Sequence, residues 1–258
     1  MTLITQIEAK RRNLSGYDSF KRTQLAYRDN LNRDHFVVSL NREALKIFNL
    51  SVTLGQHIKL KIEAENIQKQ LADGTFKQEN YQISEVKLKL LEDMNLEFFY
   101  IATGFELHFK SWLLQNDYIV NIIDKVAPFK QLRKDQEDRP ISKPEFFTVG
   151  SFMYDTTKQI NILQGLTEHT LFFSTILNKT NYVRALGISS DVIGIAEDYR
   201  NLRNQIHLPG DTCETPNIHR LAGSATDLMI DFINEKIVDN SNHLIQQNKF
   251  SFSPFSKL

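Results

Sequence analysis

The hydrophobic positions of the chain recur mostly at intervals of three and four residues, which is the period of an α-helix. One such run covers residues 84–115, with Ser84 as a predicted cap. A second run covers 154–179. A third covers 216–238, where Pro216 occupies the first helical position. These runs predict a mostly α-helical chain.

The remaining segments give weaker patterns. Residues 43–50 and 55–71 are predicted to be helical, and the sequence ADGTF at 72–76 is predicted to form a turn. The segment 138–150 contains two prolines and ends in glycine, which predicts a loop between two helical pairs. The C-terminal segment 248–258 is rich in serine and phenylalanine, and it is either frayed or docked through its phenylalanines.

Composition narrows the class of protein. The chain carries 31 Lys and Arg against 31 Asp and Glu, so no overall charge attracts a polyanion, and any such site has to be local. Cys213 is the single cysteine, which excludes an internal disulfide and disfavours a thiolate metal site. No segment reaches ~18 consecutive apolar residues and the N-terminus has no signal-peptide pattern, so we expect a soluble, cytoplasmic protein without a membrane partner. The basic clusters at 10–12 and 21–22 are either solvated faces or an RNA-contacting arm.

Candidate chemistry lies in the sequence YRNLRNQIHLPG, at residues 199–210. Start signals at 189–191 and the Pro-Gly stop at 209–210 predict one helix between them. At ~100° per residue, one face of this helix is apolar and the other is polar. The apolar face carries Val192, Ile195, Tyr199, Leu202 and Ile206, and the polar face carries Arg200, Asn204 and His207, with Arg203 at the border.

These polar side chains suit phosphate chemistry. A guanidinium group holds a phosphate through a planar fork, and an imidazole exchanges a proton near neutral pH. Cations near the C-terminal end of a helix also complement the helix dipole, so the pattern alone is compatible with a structural role. His108, His169 and His219 show no spacing that suggests a shared metal site.

The sequence AEDYRNLRNQIHLPG resembles the signature of the HEPN superfamily, in which an arginine is followed by a polar residue and, after four to six residues, by a histidine. Arg200, Asn201 and His207 match this pattern, with six residues between the arginine and the histidine. Arg203 leaves only three residues before His207, so Arg200 is the preferred match, and which arginine leads stays open. The upstream sequence ATGFELHFKSWLL resembles the first HEPN helix, which carries a glutamate and a lysine four residues apart.

In this chain those two residues are Glu106 and Lys110. They either form an ordinary helix-stabilising pair or brace the motif arginine. The resemblance covers roughly residues 90–237. It implies an all-α fold, an HEPN-like antiparallel four-helix bundle at 86–238, with a mostly helical N-terminal accessory region at 1–85 and a C-terminal tail at 239–258.

The resemblance also implies a function. HEPN proteins of this kind are commonly metal-independent endoribonucleases of toxin–antitoxin or phage-defence systems, and they need no cofactor. By that likeness His207 acts as general acid or base, Arg200 neutralises charge on the phosphoryl oxygens, and Asn201 orients the substrate or the histidine.

Arg203, Asn204, Glu106 and Lys110 would support the RNA phosphate. The active site of such proteins lies at the two-fold interface of a homodimer, and an antitoxin or regulatory protein is a further expected partner. The alternative is a non-catalytic HEPN-like module that binds RNA, nucleotide or a protein.

Overall fold

The computed structural model of the chain describes residues 24–64, 74, 85–155, 160–205 and 224–258. Most of these residues are helical. The helices are α1 (Asn30–Ala64), α2 (Glu85–Gln115), α3 (Lys130–Gln136), α4 (Lys143–Phe146), α5 (Phe173–Asn178), α6 (Thr180–Leu186), α7 (Ser190–Gln205), α8 (Ser224–Phe232) and α9 (Asn240–Asn248). The π-helical segment Ile233–Asp239 continues α8 directly into α9. No helix within these ranges is long and apolar enough to cross a membrane.

Short strands in the described ranges form two antiparallel pairs. Strand β1 (Asn121–Ile123) pairs with β4 (Leu166–Thr170), and β2 (Phe152–Asp155) pairs with β3 (Ile160–Leu163). The prediction of a mostly helical chain is therefore confirmed, but the strands were not predicted.

The single helix predicted over 154–179 is wrong, because this segment contains strands and only then the short helix α5. Gly165, between β3 and β4, has a positive φ of 84°, which favours glycine. The ring of Phe129 also fills the space that a Cβ atom at Gly165 would need. Short apolar runs fit the period of a helix or of a strand. The turn at Gly165 interrupts this segment, so a single helix cannot run through it.

The other predicted elements are found with changed bounds. The helix predicted over 84–115 is confirmed as α2, and 43–50 belongs to the longer helix α1. The helix predicted over 55–71 also belongs to α1 as far as Ala64, and its remaining residues lie outside the described ones. The predicted turn at 72–76 is described only at Gly74, which is in a turn conformation with φ of 63°.

Two further elements need correction. The predicted loop at 138–150 contains the helical turn α4, which begins after Ser142 because its Oγ accepts a hydrogen bond from the amide of Glu145 at 3.3 Å. The helix predicted over 216–238 is described from Ser224 onwards, and helical structure extends to Asn248 rather than ending at 238. Its residues 216–223 lie outside the described part of the chain.

The described chain forms two compact units, each assembled from segments that are distant in sequence. The first unit comprises 24–41, 108–155, 160–189 and 239–255, and the second comprises 42–64, 85–107, 190–205, 224–238 and 256–258. The linear division into regions 1–85, 86–238 and 239–258 stays a prediction.

The first unit contains a buried polar cluster formed by Asn41, His108, Ser111 and Ser241, each at most 1% exposed. The Oδ1 atom of Asn41 accepts a hydrogen bond from Ser111 Oγ at 2.5 Å and lies 3.0 Å from His108 Nδ1. Its Nδ2 atom donates to Ser241 Oγ at 3.0 Å. Because buried polar groups are costly to leave unpaired, this cluster fixes the register between segments that are up to 200 residues apart.

The C-terminal tail is docked, which decides between the two alternatives that the sequence left open. The side chain of Asn242 accepts a hydrogen bond from the amide of Phe255 at 2.7 Å and donates one to its carbonyl oxygen at 3.2 Å. The Phe255 side chain is buried, and the rings of Phe250 and Phe252 lie 5.4 and 5.0 Å from the ring of His35.

The second unit has an aromatic core. The ring of Phe105 lies 5.3 Å from the ring of Phe48 and 6.0 Å from the ring of Phe232. Gly104 allows α1 to approach α2 closely, because a Cβ atom there would lie 2.7 Å from the ring of Phe48. This core supports α2 and α7, which carry the candidate site.

Candidate functional site

The candidate residues on helix α7 differ in how far they are exposed to solvent. Val192, Ile195 and Tyr199 are buried, as predicted from their spacing. Asn201 and Asn204 are exposed, whereas Arg200 and Arg203 are only partly accessible. The predicted apolar face is therefore confirmed at these three positions, whereas the predicted polar residues range from exposed to largely buried.

Arg203 contacts Glu106 of α2. Its Nη1 atom donates to Glu106 Oε2 at 3.2 Å, and the two side chains are 21% and 24% exposed. The residues are 97 positions apart in sequence, so this ion pair joins two helices of the second unit. The observed contact is with Arg203, whereas Arg200 is the preferred match to the motif arginine.

A second contact between the same helices lies nearer to their N-terminal ends. The ring of Tyr199 lies 6.0 Å from the ring of Phe98. Two side-chain contacts therefore join α2 and α7 within the second unit.

Arg200 has a different environment. Its Nη2 atom donates to Asn201 Oδ1 at 2.9 Å and lies 3.6 Å from Glu197 Oε1. The side chain is 14% exposed, and its Nε atom is buried without a hydrogen-bond partner among the described residues. A guanidinium group in this state retains an unused donor, which an acceptor from a ligand or from another part of the chain can satisfy.

Glu97 was not among the predicted site residues, but it lies close enough to Tyr199 for the two groups to interact electrostatically. Burial raises the pKa of the Glu97 carboxyl to about 7. Burial, and secondly the charge of Glu97, raise the pKa of the Tyr199 hydroxyl. A signal was present in the sequence, because Glu97 is four residues before Ile101 and eight before Phe105, both fully buried. An acidic residue in register with buried apolar residues indicates a carboxyl group close to the core.

The structure brings together some of the predicted site residues and not others. Glu106 contacts Arg203, and Arg200 contacts Asn201. Lys110 belongs to the first unit, where its Nζ atom donates to Thr170 Oγ1 at 2.8 Å. The predicted general acid or base, His207, lies outside the described residues.

The described residues supply cations, amides and carboxyl groups at this site. In the ranges that the structure covers, no three His, Cys, Asp or Glu side chains are grouped closely enough to hold a metal ion. Helix α7 carries two guanidinium groups. The carboxylate of Glu106 balances the charge of Arg203, and Arg200 has an Nε donor that no described residue uses. Such a set can bind and neutralise an oxyanion such as a phosphate.

Comparison of the chain with models of protein families, with curated proteins and with solved structures finds no match.

Proposed function

We propose that this protein is a metal-independent endoribonuclease of the HEPN type, acting as a toxin or phage-defence effector. The observation that carries the proposal is the ion pair between Glu106 and Arg203. The resemblance linked the glutamate of the first helix with the arginine helix, and these two elements do meet in the second unit.

Arg200 is the better candidate for the motif arginine. Arg203 is engaged by Glu106, so much of its charge is already balanced. Arg200 has a longer, 3.6 Å contact with Glu197 and an Nε donor unused within the described residues. In this proposal Arg203 positions the helix, and Arg200 contacts the phosphate.

The proposed reaction transfers a phosphoryl group within the RNA. The ribose 2′-hydroxyl attacks the adjacent phosphorus, the bond to the 5′-oxygen of the next nucleotide breaks, and a 2′,3′-cyclic phosphate remains. His207 accepts the 2′-proton or protonates the leaving oxygen, and Arg200 neutralises the charge that builds on the phosphoryl oxygens. Asn201, which binds Arg200 Nη2, holds that guanidinium in position.

A two-fold dimer would complete the site. A C₂ interface places the same patch opposite itself, so two copies of Arg200 and His207 would bring their cations into one cleft of a chain with zero net charge. RNA binding at such a cleft weakens with salt. An antitoxin or regulatory protein that covers the cleft would keep the enzyme inactive in the cytoplasm.

The test is incubation of the purified protein with total RNA in EDTA, followed by mapping of 3′ ends that carry a cyclic phosphate. The variants His207→Ala and Arg200→Ala should lose cleavage. His243→Ala and Arg184→Ala are matched controls, because His243 and Arg184 are exposed and lie outside the candidate site. We expect both control variants to cut RNA as the wild type does.

Two results would contradict the proposal. Cleavage that persists in His207→Ala would show that the nuclease activity belongs to another site or to a contaminant. Intact RNA with folded, dimeric wild type would favour the alternative, a non-catalytic module. In that case Arg200→Ala should weaken RNA binding without any change in cleavage.

A further inference from the structure

Arg133, in the first unit, is a largely buried cation with almost no partner. Its side chain is 16% exposed, and its buried Nε atom donates no hydrogen bond to any described residue. Its one ion-pair contact among those residues is with Glu137 Oε1, 3.6 Å from Nη2, and the Glu137 side chain is 58% exposed. A guanidinium group offers five donors, and withdrawing it from water without hydrogen bonds is unfavourable. A ligand or ordered solvent that reaches the guanidinium group would supply the missing acceptors.

A cavity of about 80 Å³ lies beside Arg133. Glu137, Thr175 and Phe172 line it together with the apolar side chains of Ile122 and Leu171. Its volume is several times the roughly 15 Å³ that one water molecule needs. The cavity therefore accepts a group the size of a phosphate but not a whole nucleotide.

The wall that carries Arg133 is held rigidly. Gln136, also part of the cavity lining, is fully buried; its Oε1 accepts a hydrogen bond from the Ile123 amide at 2.9 Å, and its Nε2 donates to the Asn121 carbonyl at 2.8 Å. The hydroxyl of Tyr182 donates to the Gln136 carbonyl at 2.8 Å. These bonds fix the end of α3, so Arg133 is positioned before any ligand arrives.

Phe172 is the exposed aromatic side chain of this cavity. It is 64% exposed, although Leu171 and Phe173 on either side of it are both 3% exposed. Its buried neighbours hold its backbone in place, and its ring is accessible beside the cavity. An exposed aromatic ring beside a guanidinium group offers a surface for a planar base, while the guanidinium takes the phosphate.

We propose that a nucleotide binds here, with its phosphate inside the cavity on Arg133 and its base outside the cavity, stacked on the exposed ring of Phe172. The site lies wholly in the first unit and does not depend on the proposed ribonuclease activity. Glu137 competes with the phosphate for the guanidinium group, and its exposure lets it turn into solvent when the ligand binds. Glu137 thus lowers the affinity, whereas Arg133 and Phe172 provide it.

The experiment is isothermal titration of the full-length protein with three probes, which are AMP, ribose 5-phosphate without a base, and adenosine without a phosphate. AMP should bind at least about tenfold more tightly than either of the others, since charge-assisted hydrogen bonds and stacking each contribute about that factor. Arg133→Gln should weaken AMP binding by at least about tenfold. Phe172→Leu should lower the affinity for AMP to about the affinity for ribose 5-phosphate.

Two further variants sharpen the test. Glu137→Gln should bind AMP a few-fold more tightly than the wild type, because the competing carboxylate is gone. Lys134→Gln is the matched control, since Lys134 is an exposed cation on the same helix, and it should change the affinity less than about twofold.

Equal affinity of the wild type and Arg133→Gln for AMP would overturn the proposal. No binding of AMP by the wild type at millimolar concentration would overturn it too. If Arg133→Gln does not fold, Phe172→Leu still tests the proposal, because a substitution at this exposed position preserves the fold. This variant must lose the preference for AMP over ribose 5-phosphate.

Discussion

The ion pair between Glu106 and Arg203 can be tested with a double-mutant cycle. At 3.2 Å, the gross attraction is roughly 5 kcal/mol with an effective dielectric constant of 20. Desolvation offsets much of this, since the two side chains are only 24% and 21% exposed. We therefore expect a net coupling free energy of about 1–2 kcal/mol, above the typical value for an exposed pair.

The cycle compares the wild type with Glu106→Gln, Arg203→Met and the double variant. The free energy of unfolding is measured by urea denaturation followed by circular dichroism. The m value, the slope of this free energy against urea concentration, must be the same in all four proteins. Each single variant leaves a partly buried charge without its partner, so each should lose about 2 kcal/mol. The double variant should lose less than the sum of the two single losses.

Arg200 and Glu197 provide an internal control. Their atoms are 3.6 Å apart within one helix, and Glu197 is 41% exposed. A pair of this kind contributes about 0.3–0.5 kcal/mol, which should fall further at high salt. A coupling between Glu106 and Arg203 no larger than this control value would refute the argument that Glu106 braces α7.

Three further predictions follow from buried groups. Burial raises the pKa of Glu97 from 4.5 to about 7, so the unfolded chain releases this proton at a lower pH than the folded chain does. The stability of the wild type relative to Glu97→Gln should therefore be greatest below pH 4.5, fall by on the order of 2–3 kcal/mol as the pH rises to 7, and level off above pH 7. Urea denaturation of both proteins at pH 5 and pH 8 measures this difference in stability, and the same difference at both pH values would contradict the prediction. Asn242→Ala removes both hydrogen bonds to the backbone of Phe255, so it should lower the free energy of unfolding by about 1–2 kcal/mol. The same substitution should make the C-terminal tail more sensitive to proteolysis. An unchanged rate of proteolysis would show that other contacts hold the tail. Gly104→Ala should destabilise the second unit by about 1–2 kcal/mol, because the clash with the ring of Phe48 outweighs the higher helix propensity of alanine. Thermal denaturation measures this effect, and a higher melting temperature than that of the wild type would contradict the prediction.

The sequence predicted the long helices because their signal is repeated many times. Helix α2 presents its apolar residues over 31 positions, and an error at one position changes little. Strand β3 has four residues, and its apolar pattern fits a helix as well as a strand. Its identity as a strand depends on the backbone pairing with β2 and on the glycine turn at Gly165 that ends it, and a short periodic pattern contains neither.

The site was predictable to a similar, limited degree. The alternation of faces on α7 follows from spacing alone, and it places Arg200 correctly on the partly accessible side. The ion pair between Glu106 and Arg203 depends on the packing of α2 against α7, which the sequence could suggest only through a resemblance. Arg133 could not be identified at all. It stands between Leu132 and Lys134 on a short polar helix, where a solvated cation is the ordinary expectation.

The three arginines differ in how far the chain itself neutralises them, and this difference ranks them as anion sites. Arg203 has a carboxylate from another helix at 3.2 Å, Arg200 has a carboxylate of its own helix at 3.6 Å, and Arg133 has a mostly exposed one at 3.6 Å. Arg200 and Arg133 also share a buried Nε without a partner among the described residues. In a chain whose charges sum to zero, an anion is attracted by local imbalance rather than by the overall field. Arg200 and Arg133 are therefore the positions where substitution should affect phosphate ligands most, whereas substitution of Arg203 should act mainly on stability.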